Sequence, residues 1–162
     1  PIECYHTPAN LFVAGFLGEP AMNFYDGVYE NGVFVGEHFE YSLTQSIQSD
    51  LGEVTDLTLG IRPEAIDIGT DLTGEHVYPA VIDVIEPQGN ENTVHLWLEE
   101  QGRDAAATFT VTIDGMRNME SDDEVSVHIP EDAIHLFDTR TGEALHNRQF
   151  EGEKPAEHIG TA

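Results

Sequence analysis

Short runs of alternating apolar and polar residues, each closed by a turn signal after about ten residues, recur from Phe24 onward. The clearest is the pair FYDGVYE and VFVGE around Asn31-Gly32, a two-residue hairpin signal. VTDLTLGI reads as a strand that stops before Arg62-Pro63, because proline has no amide donor and drives the residue before it into extended geometry. EAIDIG resumes as a short strand. HVYPAVIDVIE and NTVHLWLEE bracket PQGNEN, which predicts a second hairpin with a wider loop. In its later strand Val94, Leu96 and Leu98 alternate with His95, Trp97 and Glu99, so one face is apolar. DAAATFTVTID, EVSVHIP and AIHLFD follow as strand candidates, and TRTGE turns into a last short element. TQSIQSDLG fits a turn or a single helical turn.

So many short strands in 162 residues argue for a mainly β domain, a sandwich or a barrel, and a barrel of the oligonucleotide/oligosaccharide-binding (OB) type suits this length. Residues 7–18, TPANLFVAGFLG, differ. Thr7 is a fitting N-cap, Pro8 fits the first helical position, and Leu11, Phe12, Phe16 and Leu17 share one face of a short helix. That segment is too apolar to stand alone. The expected division is residues 1–20 as helix and linker, 21–150 as the barrel, and 151–162 as a polar tail.

Charge excludes several functions. Six Lys and Arg face 31 Asp and Glu, a formal net charge of -25. Phosphate contacts need cations, so nucleic acid is not an expected partner. A Walker A loop requires a lysine after a glycine-rich turn, yet the single lysine, Lys154, precedes Pro155, so nucleotide hydrolysis by this chain is not expected. No nucleophile elbow and no H-E-x-x-H motif is present. The eight histidines are scattered; His128 and His135 would bind a metal if they met on neighbouring strands, the plainer reading being solvent-facing strand residues. Carboxylates are too abundant for an acid/base pair to stand out, and Trp97 fits either a stacking platform for a sugar or base or a contact with protein, the latter preferred. Cys4 alone can form no intrachain disulfide, which fits an intracellular setting, and no apolar run approaches the roughly 18 residues of a membrane-spanning helix.

Arg62 is the first basic residue, and the next is Arg103. Its guanidinium is permanently charged and pairs with carboxylates in bidentate geometry, so a strand-end anchor is expected, with Gly60 giving backbone freedom and Pro63 stiffening the exit.

Four stretches in order resemble one family, the ATPase subunits of sugar-importing ABC transporters, of which the maltose importer's ATPase is the familiar member. PIECYHTPANLFVAGFLGEPAMNF resembles the segment leaving the nucleotide-binding domain. TLGIRPEAI matches the family's G-I-R-P-E signature. VIEPQGNENTVHLWL and IPEDAIHLFDTRTGEAL resemble the later strand-loop-strand and the closing segment. The resemblance covers roughly residues 1–150. It implies a C-terminal regulatory domain with a transport-associated OB-like barrel. It implies as partners a second copy of the subunit, the nucleotide-binding domain and the membrane permease subunits, at the inner face of the membrane. Gly60, Arg62, Pro63 and Glu64 fall on the signature and Gly89, Asn90 and Glu91 on the second loop; with Trp97 they are expected at a structural corner or subunit contact, and none is catalytic. ATP and Mg would belong to a nucleotide-binding domain that this chain lacks, and the chain is expected to be a fragment. The rival reading is an oxyanion-binding module, since related barrels hold molybdate, but the Ser-Ala-Arg-Asn type of stretch is missing.

Acid excess with one lysine fits a protein built for concentrated salt. At 1 M salt the Debye length is about 3 Å, and carboxylate self-repulsion is largely screened. The thermal midpoint should therefore climb as KCl is raised into the molar range, and a midpoint independent of KCl would contradict this reading.

Overall fold

The computed structural model describes residues 22–37, 39–98, 109–115 and 118–147. The segment 7–18 and the tail 151–162 lie outside the described residues. Among the described residues eleven strands form two sheets, and the domain is mainly β, as expected.

The first sheet contains β1 (Asn23–Glu30), β2 (Val33–Gly36), β3 (Glu40–Ser42), β4 (Asp56–Ile61), β10 (His135–Asp138) and β11 (Ala144–His146), in the order β11-β10-β4-β1-β2-β3. The second contains β5 (Asp67–Gly69), β6 (Val77–Gln88), β7 (Glu91–Leu98), β8 (Phe109–Asp114) and β9 (Glu124–His128), in the order β5-β9-β6-β7-β8. Every pairing is antiparallel. Alternation then sends one side of each strand into a shared core. Tyr25, Leu57, Leu59, Ile61 and Leu136 come from the first sheet; Ala80, Ile82, Val94, Leu96, Val111 and Val127 come from the second.

Both hairpins follow from backbone chemistry. Asn31 and Gly32 have φ of 51° and 78°, the two positive values that a type I′ turn requires. The β6–β7 loop is tighter than the sequence predicts. Gln88 pairs with Glu91, leaving only Gly89 and Asn90 in the turn. Gly89 has φ of 67° while Asn90 stays negative, the II′ pattern. Pro87 does not break the ladder because its pair with Asn92 sits one step from the closing pair, where the amide points away from β7.

Residues 44–52 form a true helix, α1 (Gln45–Leu51). The Thr44 side chain accepts from Ile47 N at 3.5 Å, and Ile47 and Leu51, one turn apart, are buried. Thr44 N donates to Glu131 Oε2 at 3.0 Å, tying α1 to the 3-10 turn Glu131–Ala133.

The sheets meet along two seams bridged by side chains. At the first, the Asn23 amide oxygen accepts from Thr110 N at 3.0 Å and its NH2 donates to Thr110 O at 2.9 Å. At the second, Tyr41 OH donates to Ile129 O at 2.8 Å, Tyr78 OH to Glu40 O at 2.6 Å, and His76 Nε2 to Ser42 O at 2.8 Å. The His76 ring stacks on Tyr41 with centroids 3.7 Å apart. His76 holds φ of 66°, a conformation disfavoured for a side chain of this size.

Burial raises the pKa of Tyr25, and raises those of Tyr41 and Tyr78 with help from nearby negative charge, Glu131 for Tyr41 and Glu40 for Tyr78. A raised folded pKa favours the neutral phenol, so this stabilisation is complete below the unfolded value of about 10 and declines as pH rises above it. Alkaline titration should thus show these phenolates appearing together with loss of the fold. Ionisation of all five tyrosines near pH ~10 with the fold intact would contradict it.

Candidate functional site

β4 ends at Ile61, and the chain turns through a 3-10 turn, Pro63–Ala65, before β5. Arg62 is extended, with φ -72° and ψ 144°, as the following proline dictates, and its carbonyl accepts from Ala65 N at 3.0 Å. The side chain is only 1% exposed and is the largest fully buried one among the described residues. A guanidinium cannot be stripped of water unless charge and hydrogen bonds replace it, so Arg62 belongs to the architecture of the corner. Pro63 is buried beside it; Glu64 is exposed. The 3-10 turn packs on β8.

Gly60 has no positive φ, so crowding rather than backbone freedom marks this position. A methyl group there would lie 2.6 Å from Met22 Sδ and 3.2 Å from Phe24 Cε1. Gly60 lacks a Cβ because Met22 and Phe24 cross directly over the sheet.

Gly89, Asn90 and Glu91 form a different feature, the tip of the β6–β7 hairpin. Asn90 O accepts from Gly115 N at 3.0 Å, and Glu91 pairs with Asp114, so the tip is anchored to the end of β8. Trp97 is half-buried, opposite Val81 and on the face of the second sheet that points away from the core. The candidate residues thus fall into three places, the corner, the hairpin tip and the outer sheet face. β8 links the first two.

The histidines separate as well. His128 lies 3.0 Å from Asp67 in the second sheet, while His135, fully buried in the first, meets Asn147 at 2.8 Å. They do not sit on neighbouring strands. His135 and His146 are buried, not solvent-facing; His146 Nδ1 lies 3.0 Å from Asp50 and ties β11 to α1. Among the described residues no three His, Cys, Asp or Glu side chains converge on a centre that could hold a metal ion. No described helix is long and apolar enough to cross a membrane.

The sequence reading missed Asn23, Tyr41, His76 and Tyr78. Only Asn23 left a trace, an amide beginning a run of β-formers. Its partner lies 87 positions away.

Residues 59–137 match the TOBE domain profile, and residues 18–66 match the MalK OB fold domain profile. The chain is a TOBE and MalK-type OB-fold domain of the sugar-importer ATPase family. The G-I-R-P-E corner lies where the two profiles overlap. The chain is 47% identical over 150 residues to the xylose/arabinose import ATP-binding protein XacK of Haloferax volcanii, covering 93% of this chain and 39% of that protein. It is 40% identical over 158 residues to XacJ, of the same name and organism, covering 94% and 41%. The chain therefore spans about two fifths of the length of the curated relatives it matches. The cytoplasmic molybdate-binding protein ModG has a similar fold, with TM-score 0.54 at 12% identity, over 70% of this chain and 94% of that one. At that identity the likeness concerns the fold alone.

Proposed function

We propose that this chain is the regulatory and dimerisation part of the ATP-hydrolysing subunit of an ABC-type carbohydrate importer, itself non-catalytic and working in the cytoplasm against the inner face of the membrane. The observation that carries this reading is the match of 93% of the chain to a single stretch of the xylose/arabinose import ATP-binding protein XacK of Haloferax volcanii. The acid-rich composition agrees with that kinship. The buried Arg62 corner and the Gly60 contact give the domain a stiff frame, as a mechanical part needs.

The mechanism is a tether. A barrel on each subunit holds its counterpart, so the two ATPase halves stay at high effective concentration while they open and close. The hairpin tip and the outer face around Trp97 are the surfaces we assign to subunit contacts, and the buried corner braces the domain from within. Two copies each carrying -25 repel one another, so pairing depends on salt that screens them. ATP and Mg would act in the nucleotide-binding domain, and the membrane permease subunits would receive the motion. An oxyanion-binding role has only the ModG fold likeness behind it.

Sedimentation velocity in molar KCl tests the tether. A dimer should grow with protein concentration and weaken as KCl is lowered. A strict monomer at every concentration in high salt would overturn the reading.

A further inference from the structure

Helix α1, the 3-10 turn Glu131–Ala133 and the end of β11 enclose a cavity of about 410 Å³. Thr44, Ser46 and Asp50 line it from the helix and its cap, Glu131 and Asp132 from the turn, and His146 from the strand. Asp50 and Asp132 are exposed, whereas His146 is only 8% exposed. The cavity therefore opens past carboxylates and backs onto an imidazole.

These groups are only partly used by one another. Asp50 Oδ2 lies 3.0 Å from His146 Nδ1, and Glu131 Oε2 accepts from Thr44 N at 3.0 Å. Each carboxylate spends one oxygen. Among the described residues no lysine or arginine pairs with Asp50, Glu131 or Asp132. Their charge is felt inside the fold: burial raises the Tyr41 pKa first, and Glu131 and Asp132 raise it further. His146 gives an independent sign of a ligand. An ionised carboxylate only accepts, so in the neutral ring Nδ1 carries the hydrogen toward Asp50 and Nε2 is a bare lone pair. That Nε2 is buried and has no hydrogen-bond partner. A buried acceptor left empty is costly, and a ligand N–H would settle it.

We propose that this cavity binds a guanidinium group, held by Asp132, Glu131 and Asp50, with His146 Nε2 as acceptor for a further N–H. Charge selects a cation. The carboxylates and the imidazole do not converge on one centre, so a metal ion does not fit them. A planar guanidinium carries five N–H donors in a fan and can span acceptors set apart. It is also more weakly hydrated than an ammonium, an advantage where concentrated K+ competes for carboxylates. Occupancy would clamp α1 to β11, the edge strand of the first sheet. The site shares no residue with the corner, the hairpin tip or Trp97, so it stands whether or not the tether reading holds.

The test is titration of the full chain in molar KCl with N-acetylarginine amide, followed by amide resonances. Those of Ser46, Asp50, Asp132 and His146 should move saturably, and that of Asn90 at the hairpin tip should not. N-acetylcitrulline amide, a neutral isostere, should move none of them, and N-acetyllysine amide should bind more weakly. Asp132→Asn should weaken the arginine probe about tenfold, with an unmoved Thr110 resonance reporting an intact fold. Two sources carry a guanidinium. Tighter binding of the peptide Gly-Arg-Gly than of free L-arginine identifies an arginine on a partner protein, and the reverse order identifies a small molecule; either order supports the site. A citrulline or lysine probe that binds as well as the arginine probe would overturn the proposal. So would unsaturable movement spread over the acidic residues, or an affinity unchanged in Asp132→Asn.

Discussion

The carboxamide of Asn23 presents a donor and an acceptor to the edge of β8, as a neighbouring strand would. It receives Thr110 N at 3.0 Å, donates to Thr110 O at 2.9 Å, and donates its other hydrogen to Ile61 O at 3.3 Å. All of this happens at a residue only 8% exposed. A buried donor or acceptor left empty costs about 1–3 kcal/mol, so one side chain here settles groups on both sheets. The opposite seam uses the same device in triplicate, through Tyr41, His76 and Tyr78. Two sheets joined this way can enclose one core without the long shared strands that a fully laddered barrel needs. The strained backbone at His76 is held by that arrangement, because its ring, its Nε2 and its carbonyl are each engaged.

Much of the ladder was legible in the sequence because its rules are local. Asn31-Gly32 must turn, proline after Arg62 must end a strand, and the alternation Val94, Leu96, Leu98 must bury one face. What was not legible depends on partners far along the chain. The hydroxyl of Tyr41 and the carbonyl of Ile129 are separated by 88 positions. Gly60 read as backbone freedom because the residue that crowds its missing Cβ, Met22, lies on another strand's approach. PQGNEN looked like a wide loop because proline and glycine together suggest irregularity; the pairing phase of β6 absorbs the proline and leaves a two-residue turn. In 44–52 the short spacing of Ile47 and Leu51 was the helical signal, too brief to read before its buried surroundings were known. The candidate site was legible by resemblance rather than by chemistry. Its residues brace a corner and a turn, and no pattern of charges announces that role.

Chemistry and charge agree with a structural role. Its composition is acidic, its one early cation is buried in a bend, and two of its described histidines tie elements together, His128 with Asp67 and His146 with Asp50. A frame of this kind transmits position. The proposed regulatory role asks for such stiffness at the seams.

The most direct test is amide hydrogen exchange at Thr110 in high KCl, measured in the parent chain and in Asn23→Ala. If the amide of Asn23 closes the barrel, Thr110 is protected to the level of the central β7 amides in the parent, and loses that protection selectively in the variant. Equal protection in both proteins would mean that the seam is held by something else, and the account of how these sheets enclose one core would fail.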